Sequence, residues 1–425
     1  MTEPTVIPLL LDCLHQDPSR ADRARLASLA DDDWRQLFAL AAGQKVGALL
    51  AFRLRTRGLD DAMPASIRAS LREANQRAAV RSLRVQGCLF SALTALRTNG
   101  VDVIVLKGSH LASVVYPDPA LRHMVDIDLL VRARDLGRAA RALGSAGYEP
   151  SVALADGTDL SSTLSAYPYH LPPFVRRGAP NIELHWRLSP PGERLLPDTL
   201  WERAVRTRVA GVDALGLSAE DLLLHLCAHA SYKHGFELGL RPSCDIAEAV
   251  RHWGGTLDWL ALSERARRCG WQRGAYLSLR LARDMLGAAV PDCALAELRP
   301  RGLTEALVGA ARFVTLQDDR TNRSIPPSLA TMSEARTWRG RAAEVMRRVF
   351  APRLLVAEHY RLPPRSLRVL FYYPVRMRDL LRRHSRVAAR LWRGDAELTH
   401  IAGRKATIQR WLAEDGALDA PEPHS

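Results

Sequence analysis

Lysine is nearly missing from this chain of 425 residues: Lys45, Lys107, Lys233 and Lys405 are the only four among 60 basic residues. A coding bias toward arginine accounts for the skew, and it turns each remaining lysine into a marker. A position indifferent to the two cations drifts to Arg, whereas one that needs a compact ammonium does not. Cysteine is sparse as well. The six residues, Cys13, Cys88, Cys227, Cys244, Cys269 and Cys293, form no CxxC pair, which argues against a disulfide scaffold and against zinc-ribbon spacing and predicts free thiols in a reducing cytoplasm. No apolar run approaches the ~18 residues of a membrane-crossing helix. The opening MTEPTVIPLLLDCLHQD lacks a basic leader segment, so no signal peptide is expected. Internal repeats and low-complexity tracts are also missing.

What is present suits a folded protein: 47% hydrophobic and 25% charged residues can build substantial cores, and the length suggests two or three domains. The net charge of +14 predicts attraction to something anionic, whether nucleotide, nucleic acid or membrane surface. That charge is local. Residues 336–410 hold 19 Arg or Lys against 5 Asp or Glu, and the remainder has 41 of each.

Residues 20–98 read as helices, with apolar residues at three- and four-residue spacing in DDDWRQLFALAAGQKVGALLAFRL and a long amphipathic stretch after it. Asn99-Gly100 marks a turn, and VDVIVL reads as a strand buried on both faces. A strand, helix, strand, helix, strand pattern then runs to about 190 through HLASVVY, VDIDLLV, ARDLGRAARALGSAGY and NIELHWRL, with residues 151–180 expected to form a hairpin or mobile loop. Helices return from 217 to about 320, opening on a Ser cap and an acidic first turn. The expected division is 1–98 helical, 99–215 an α/β core, 216–325 helical, and 326–425 an Arg-rich helical region with a frayed tail. The fold class is α+β, a small mixed sheet flanked by helical regions.

The segment LKGSHLASVVYPDPALRHMVDIDLLV, residues 106–131, carries the chemistry. A buried strand ends at Gly108-Ser109 and turns directly into a helix, so free backbone N–H groups and the positive end of the dipole converge on one point. Gly108 permits close approach of an anion, Ser109 adds a hydroxyl, and Lys107 adds a point charge. An ordinary strand-to-helix turn reads the same way. Asp126 and Asp128 lie two apart on a strand and share a face, while Val125, Ile127 and Leu129 face the core. Such a pair repels unless a cation lies between them, and hard oxygen ligands suit Mg²⁺ bridging to phosphates. An exposed acidic strand edge is the plainer alternative. On NIELHWRL, alternation puts Ile182, Leu184 and Trp186 on one face and Glu183, His185 and Arg187 on the other. Glu183 joins the aspartates if this strand lies beside VDIDLLV; a solvent-facing Glu fits the spacing equally well.

Gly-Ser at a helix start, DxD on the next strand and a third acid on a later one resemble the signature of the nucleotidyltransferase superfamily with the DNA polymerase β-like fold. More specifically, LKG, Tyr-Pro, Arg, DIDLLV, Gly-Tyr, IELHWRL and LLLHLCAHA resemble the uncharacterised bacterial nucleotidyltransferase family, from about 20 to about 395. The resemblance implies that Gly108 and Ser109 hold a nucleoside triphosphate, that Asp126, Asp128 and Glu183 are the catalytic acids binding Mg²⁺ or Mn²⁺, and that Lys107 and Arg122 assist at the phosphates. Sixteen residues lie between Ser109 and Asp126, a longer gap than is usual in the superfamily, and the third acid is Glu where Asp is common. The implied reaction transfers a nucleotidyl group to a hydroxyl of an acceptor that is a small molecule, peptide, protein or RNA.

Other signals fit less specific readings. His225 and His229 share a helix face at i and i+4, but no second ligand pair has zinc spacing. Lys233 and Asp245 suit either an acceptor site or structural pairing. The Arg-rich region reads as an amphipathic helix pair covering the core, with a membrane surface or nucleic acid as the alternative partner and Pro374 as a break in any continuous helix. Two rival functions remain at this point: a nucleotide- or RNA-binding module without turnover, and a peripheral membrane accessory of polysaccharide assembly.

Overall fold

The computed structural model describes residues 6–152, 167, 169–188, 197–317, 346, 349–351, 353–360, 362, 367–393 and 395–414. Its centre is a seven-stranded mixed sheet: β1 (Ile104–Val105), β2 (Asp126–Leu130), β3 (Glu149–Pro150), β4 (Phe174–Val175), β5 (Asn181–His185), β6 (Val205–Val209) and β7 (Val212–Gly216). The strand order is β3-β4-β5-β2-β1-β7-β6. β2 runs antiparallel to β1 and parallel to β5, and β1 runs parallel to β7.

Each face of the sheet is covered. On one face Val105, Ile127, Leu129, Ile182 and Leu184 pack against the C-terminal half of the helix Ala65–Thr98 and against the helix Leu136–Ser145. That half of the long helix buries Val85, Cys88, Leu89, Ala92, Leu93 and Leu96 at three- and four-residue spacing, an apolar stripe of helical period. It stops at Asn99 and at Gly100, whose φ of 63° a glycine adopts without strain. On the other face Ile104, Leu106 and Leu130 join a larger core built from the helices Val6–Leu14, Asp31–Gly43 and Gly47–Thr56 and from the helical region after 217. The helical prelude and the α/β block expected from the periodicity are present, and so is the later helical region. Its first helix, Ala219–Ala228, is capped by Ser218, whose Oγ accepts from Asp221 N at 3.2 Å.

The structure differs from several local expectations. Only Ile104 and Val105 of VDVIVL pair as strand, although Val101, Val103 and Leu106 are also buried. Val125 is 57% exposed rather than core-facing, because β2 begins one residue later and the pleat does not yet govern it. The helix expected at HLASVVY is a single α-turn, Lys107–His110, that widens into a π-type turn at Leu111–Val115. Pro374 lies inside the helix Arg368–Trp392 without ending it; a proline removes one i→i−4 bond, and the turns on either side hold the helix together. The helix pair expected on either side of Pro374 is therefore one helix, and a further helix, Ala396–Ala413, follows it and buries Leu398, Ile401 and Ile408. Within the loop expected at 151–180, residues 153–166 and 168 lie outside the described residues, as do 318–345, which contain the boundary expected at 326, and the tail from 415. All six cysteines are free thiols. Among the described residues no helix is long and apolar enough to cross a membrane.

Candidate active site

Strand pairing brings the acids together. β5 lies parallel to β2 with Glu183 opposite Asp128 and Asn181 opposite Asp126, so side chains of one face stand beside one another across a spacing of about 4.8 Å. Because Ile127, Leu129, Ile182 and Leu184 take the other face, Asp126, Asp128, Glu183 and His185 all point toward the helical layer. Asp128 is 5% exposed and His185 is 2% exposed. Lys107 Nζ donates to Asp128 Oδ1 at 2.7 Å, and His185 Nε2 donates to the same oxygen at 3.0 Å while lying 3.4 Å from Glu183 Oε2. Both bonds fall on Oδ1, so Oδ2 has no partner among the described residues. Neither does the carboxylate of Asp126.

The electrostatics of the three acids diverge accordingly. Burial pushes Asp126 above the usual carboxylate range, and the charges of Asp128 and Glu183 push it further. Burial acts the same way on Asp128, but the Lys107 ammonium and the His185 hydrogen bond outweigh it and hold the carboxyl well below that range. For Glu183 the His185 hydrogen bond likewise overcomes burial and lowers it. Asp128, Glu183 and His185 each bring one ligand atom within 4.8 Å of the others. Together with the unpaired Asp126, this donor set fits a hard divalent cation, for which carboxylate oxygens are the preferred ligands.

Lys107 reaches Asp128 from a strained backbone. Its φ of 40° lies in the left-handed region, which costs a residue with a Cβ about 1–2 kcal/mol. The turn that follows holds Ser109, 1% exposed, with its Oγ making no hydrogen bond to a described residue. Arg122 does not lie on the surface. Its guanidinium is packed over Gly108, where an added Cβ would stand 2.0 Å from Nη1, and it forks onto Asp245 through Nε at 3.3 Å and Nη2 at 2.9 Å. Tyr116 Oη also donates to Asp245, at 2.9 Å. Asp245 is thus committed to Arg122 and Tyr116.

The helix Ala219–Ala228 and the π-type turn His229–Lys233 carry a second set of groups toward the acids. Burial, then the Lys107 charge, keeps His225 and His229 neutral by holding both well below the usual histidine range. Burial and Lys233 lower His234 to about 4. The rings of His229 and His234 lie 4.5 Å apart, but these histidines form no three-ligand metal cluster among the described residues. Lys233 is exposed and makes no ion pair with a described residue. Burial of part of the side chain and repulsion from Lys107 lower its ammonium, and attraction from Glu183, Asp128 and Asp126 opposes them. Widened turns of this kind recur at functional sites.

Strand alternation and the strand-to-helix turn grouped Asp126, Asp128, Glu183, Lys107, Gly108 and Ser109, and the structure brings them together. Alternation placed His185 on the correct face but gave it no role; the signal was its register with Glu183. Lys233 was legible as a scarce lysine suited to an acceptor site or to structural pairing, and not as a group facing the acids.

No curated protein and no solved structure matches the chain. Residues 30–287 match the family model described as uncharacterised nucleotidyltransferase. That span takes in the helices from Asp31–Gly43 onward, the whole sheet and the helices facing the acids, and this chain belongs to the uncharacterised nucleotidyltransferase family.

Proposed function

We propose that the protein moves a nucleoside monophosphate from a nucleoside triphosphate to an acceptor hydroxyl with release of pyrophosphate, using Mg²⁺ or Mn²⁺. The observation that carries this reading is the cluster of three carboxylates on the paired strands β2 and β5, two of them with oxygens lacking any partner among the described residues, beside a strand-to-helix turn with a buried, unpaired serine hydroxyl. Asp126, Asp128 through Oδ2, and Glu183 would hold the metal, which when bound supplies charge neutralisation at the reacting phosphate. His185 and Lys107 fix the Asp128 carboxylate through Oδ1, so that its second oxygen keeps one orientation. The N–H groups at the start of the Lys107–His110 turn and the Ser109 hydroxyl would bind the triphosphate. In the transfer a P–O bond forms between the acceptor oxygen and the α-phosphorus, and the bond to the bridging oxygen breaks as pyrophosphate leaves. The acceptor proton passes to Asp126, the one of the three carboxylates that burial and its acidic neighbours shift upward.

Incubation with each α-labelled nucleoside triphosphate, Mn²⁺ or Mg²⁺, and cell extract fractionated into protein, RNA and small molecules is expected to label one fraction. Equal labelling by wild type and Asp128→Ala would overturn the reading, because phosphoryl transfer depends on charge placement at the phosphate.

Lys233 would supply a mobile positive charge to the phosphates from the opposite wall. Lys233→Met is expected to raise KM for the nucleoside triphosphate about tenfold, the scale of one charge-assisted hydrogen bond, with Lys233→Arg recovering part of it. A change in kcat with KM unaltered would remove Lys233 from the phosphate site.

A further inference from the structure

A cleft of about 600 Å³ opens between the helices Asp31–Gly43 and Ala65–Thr98 and the loop that leads into β2. The volume lies in the range of small-molecule sites. Phe38, Ile67, Leu71, Val85 and Met124 give it an apolar wall. Lys45, Arg81 and Arg122 line it as well, with His123, and no Asp or Glu does. Arg35 and Arg77, also in the lining, are engaged by Asp31 and Glu73 respectively. Half-buried Lys45 and exposed Arg81 bring positive charge to the cleft, where Arg81 Nη1 meets the His123 ring at 2.9 Å.

Two further observations mark this cleft. Lys45 is one of the four lysines of the chain, and it occupies the left-handed position that ends a helix, at φ 60°, where glycine or asparagine is the unstrained choice. The cleft and the active site also share Arg122, which lines the cleft while its guanidinium packs over Gly108. His123 stands on the same short loop that leads into Asp126, and Arg122 and Asp126 act on each other electrostatically. The positive field is strong enough that, after burial, the charges of Arg81, Arg241, Lys45 and Arg122 lower His123 to about 4.

We infer that this cleft is the acceptor site, and that the acceptor is a hydroxylated organic anion: an apolar body bearing a carboxylate or phosphate that meets Lys45 and Arg81 while its hydroxyl reaches Asp126. The inference rests on the nucleotidyl-transfer reading and supplies the substrate class that reading leaves open. A polynucleotide fits less well, since the cationic lining is scattered among aliphatic side chains over two helices and a loop and not drawn out as a track for a backbone. The anion is either that of a free small acid or the terminal carboxylate of a peptide, and the test separates them.

The probe is 8-anilinonaphthalene-1-sulfonate, an apolar body with one anionic group, titrated into the full chain by fluorescence. Saturable binding is expected, weakened at least tenfold in Lys45→Gly, in Arg81→Ala and in Ala78→Trp, which fills the cleft from its lining. Lys45→Gly relieves the backbone strain and is expected to melt at or above the wild-type temperature, so its loss of binding is not a loss of fold. Displacement by N-acetyl-Phe-Tyr but not by its carboxyl-terminal amide assigns the peptide carboxylate; displacement by phenyl phosphate or phenylpropionate alone assigns a small acid. Binding unchanged in all three variants overturns the inference while leaving label transfer, and with it the nucleotidyltransferase reading, intact. If ATP displaces the probe and Lys45→Gly raises the KM for nucleotide alone, the cleft belongs to the nucleotide and the inference is likewise overturned. Probe binding to Asp126→Asn, which removes a catalytic carboxylate, is expected to match wild type, so the binding result stands apart from turnover.

Discussion

Asp126→Asn is expected to abolish label transfer, by about 10³-fold or more on the scale of a lost electrostatic stabiliser, and at the same time to raise the melting temperature of the metal-free protein at pH 7.5. The two effects have one cause. Asp126 carries its charge in a half-buried position beside Asp128 and Glu183 with no partner among the described residues, and burial followed by those two charges raises its pKa. A carboxyl whose folded-state pKa lies above its unfolded one binds its proton more tightly when folded. Its stabilising contribution is present at low pH and is lost as pH rises through the folded value, so at neutral pH the ionised group opposes folding. Asparagine keeps the shape and removes that penalty. The wild type should recover the stability when Mg²⁺ or Mn²⁺ binds, by about 2.7 kcal/mol at a hundred times Kd, and Asp126→Asn should respond much less. A fall in melting temperature in EDTA together with undiminished transfer would show that Asp126 is neither strained nor catalytic.

Gly108→Ala is the second large effect, and it acts through Arg122. The added methyl would lie 2.0 Å from Nη1 and 2.7 Å from Cζ. A guanidinium end is normally free to swing aside, but this one is held by two bonds to Asp245 and by Nη1 donating to His123 O at 3.2 Å. Displacing it leaves the buried charge of Asp245, 3% exposed, with the Tyr116 hydroxyl in place of a cation, at a cost of about 3–5 kcal/mol. Loss of transfer activity should accompany that cost, because the Gly108-Ser109 turn and Arg122 move together. The decisive measurement is a double-mutant cycle in urea. Arg122→Ala should itself be costly, yet adding Gly108→Ala to it should cost less than about 1 kcal/mol, since the obstructing group has gone. Additive losses would show that the glycine is needed for another reason, such as an anion approaching the backbone.

These two expectations differ in how far they were readable from the residues alone. Alternation on VDIDLLV is enough to place Asp126 and Asp128 on one face, and the same alternation keeps Glu183 and His185 together on β5, because the pleat of a strand is a local property. Local physics also ended the strand before Gly108-Ser109 and capped the helix at Ser218. The role of Arg122 was not legible. Its partner lies 123 residues further along the chain, and an arginine in a loop between Pro119 and Met124 reads as surface until the helix Arg241–Trp253 is packed against it.

The amino-acid sequence by itself thus determined the faces, the turn, the scarcity of lysine that singled out Lys107, Lys233 and Lys45, and the family. Only the tertiary structure decided that Glu183 stands opposite Asp128, since parallel pairing of β2 with β5 joins segments 55 residues apart and no local periodicity encodes which strands become neighbours. It also decided where the four lysines went: Lys107 onto Asp128, Lys233 across from the acids, Lys45 into the cleft, and Lys405, with its side chain 0% exposed, to Glu237. An ammonium's position relative to a carboxylate depends on how layers pack, and that packing is set by the summed burial of two cores rather than by any one segment.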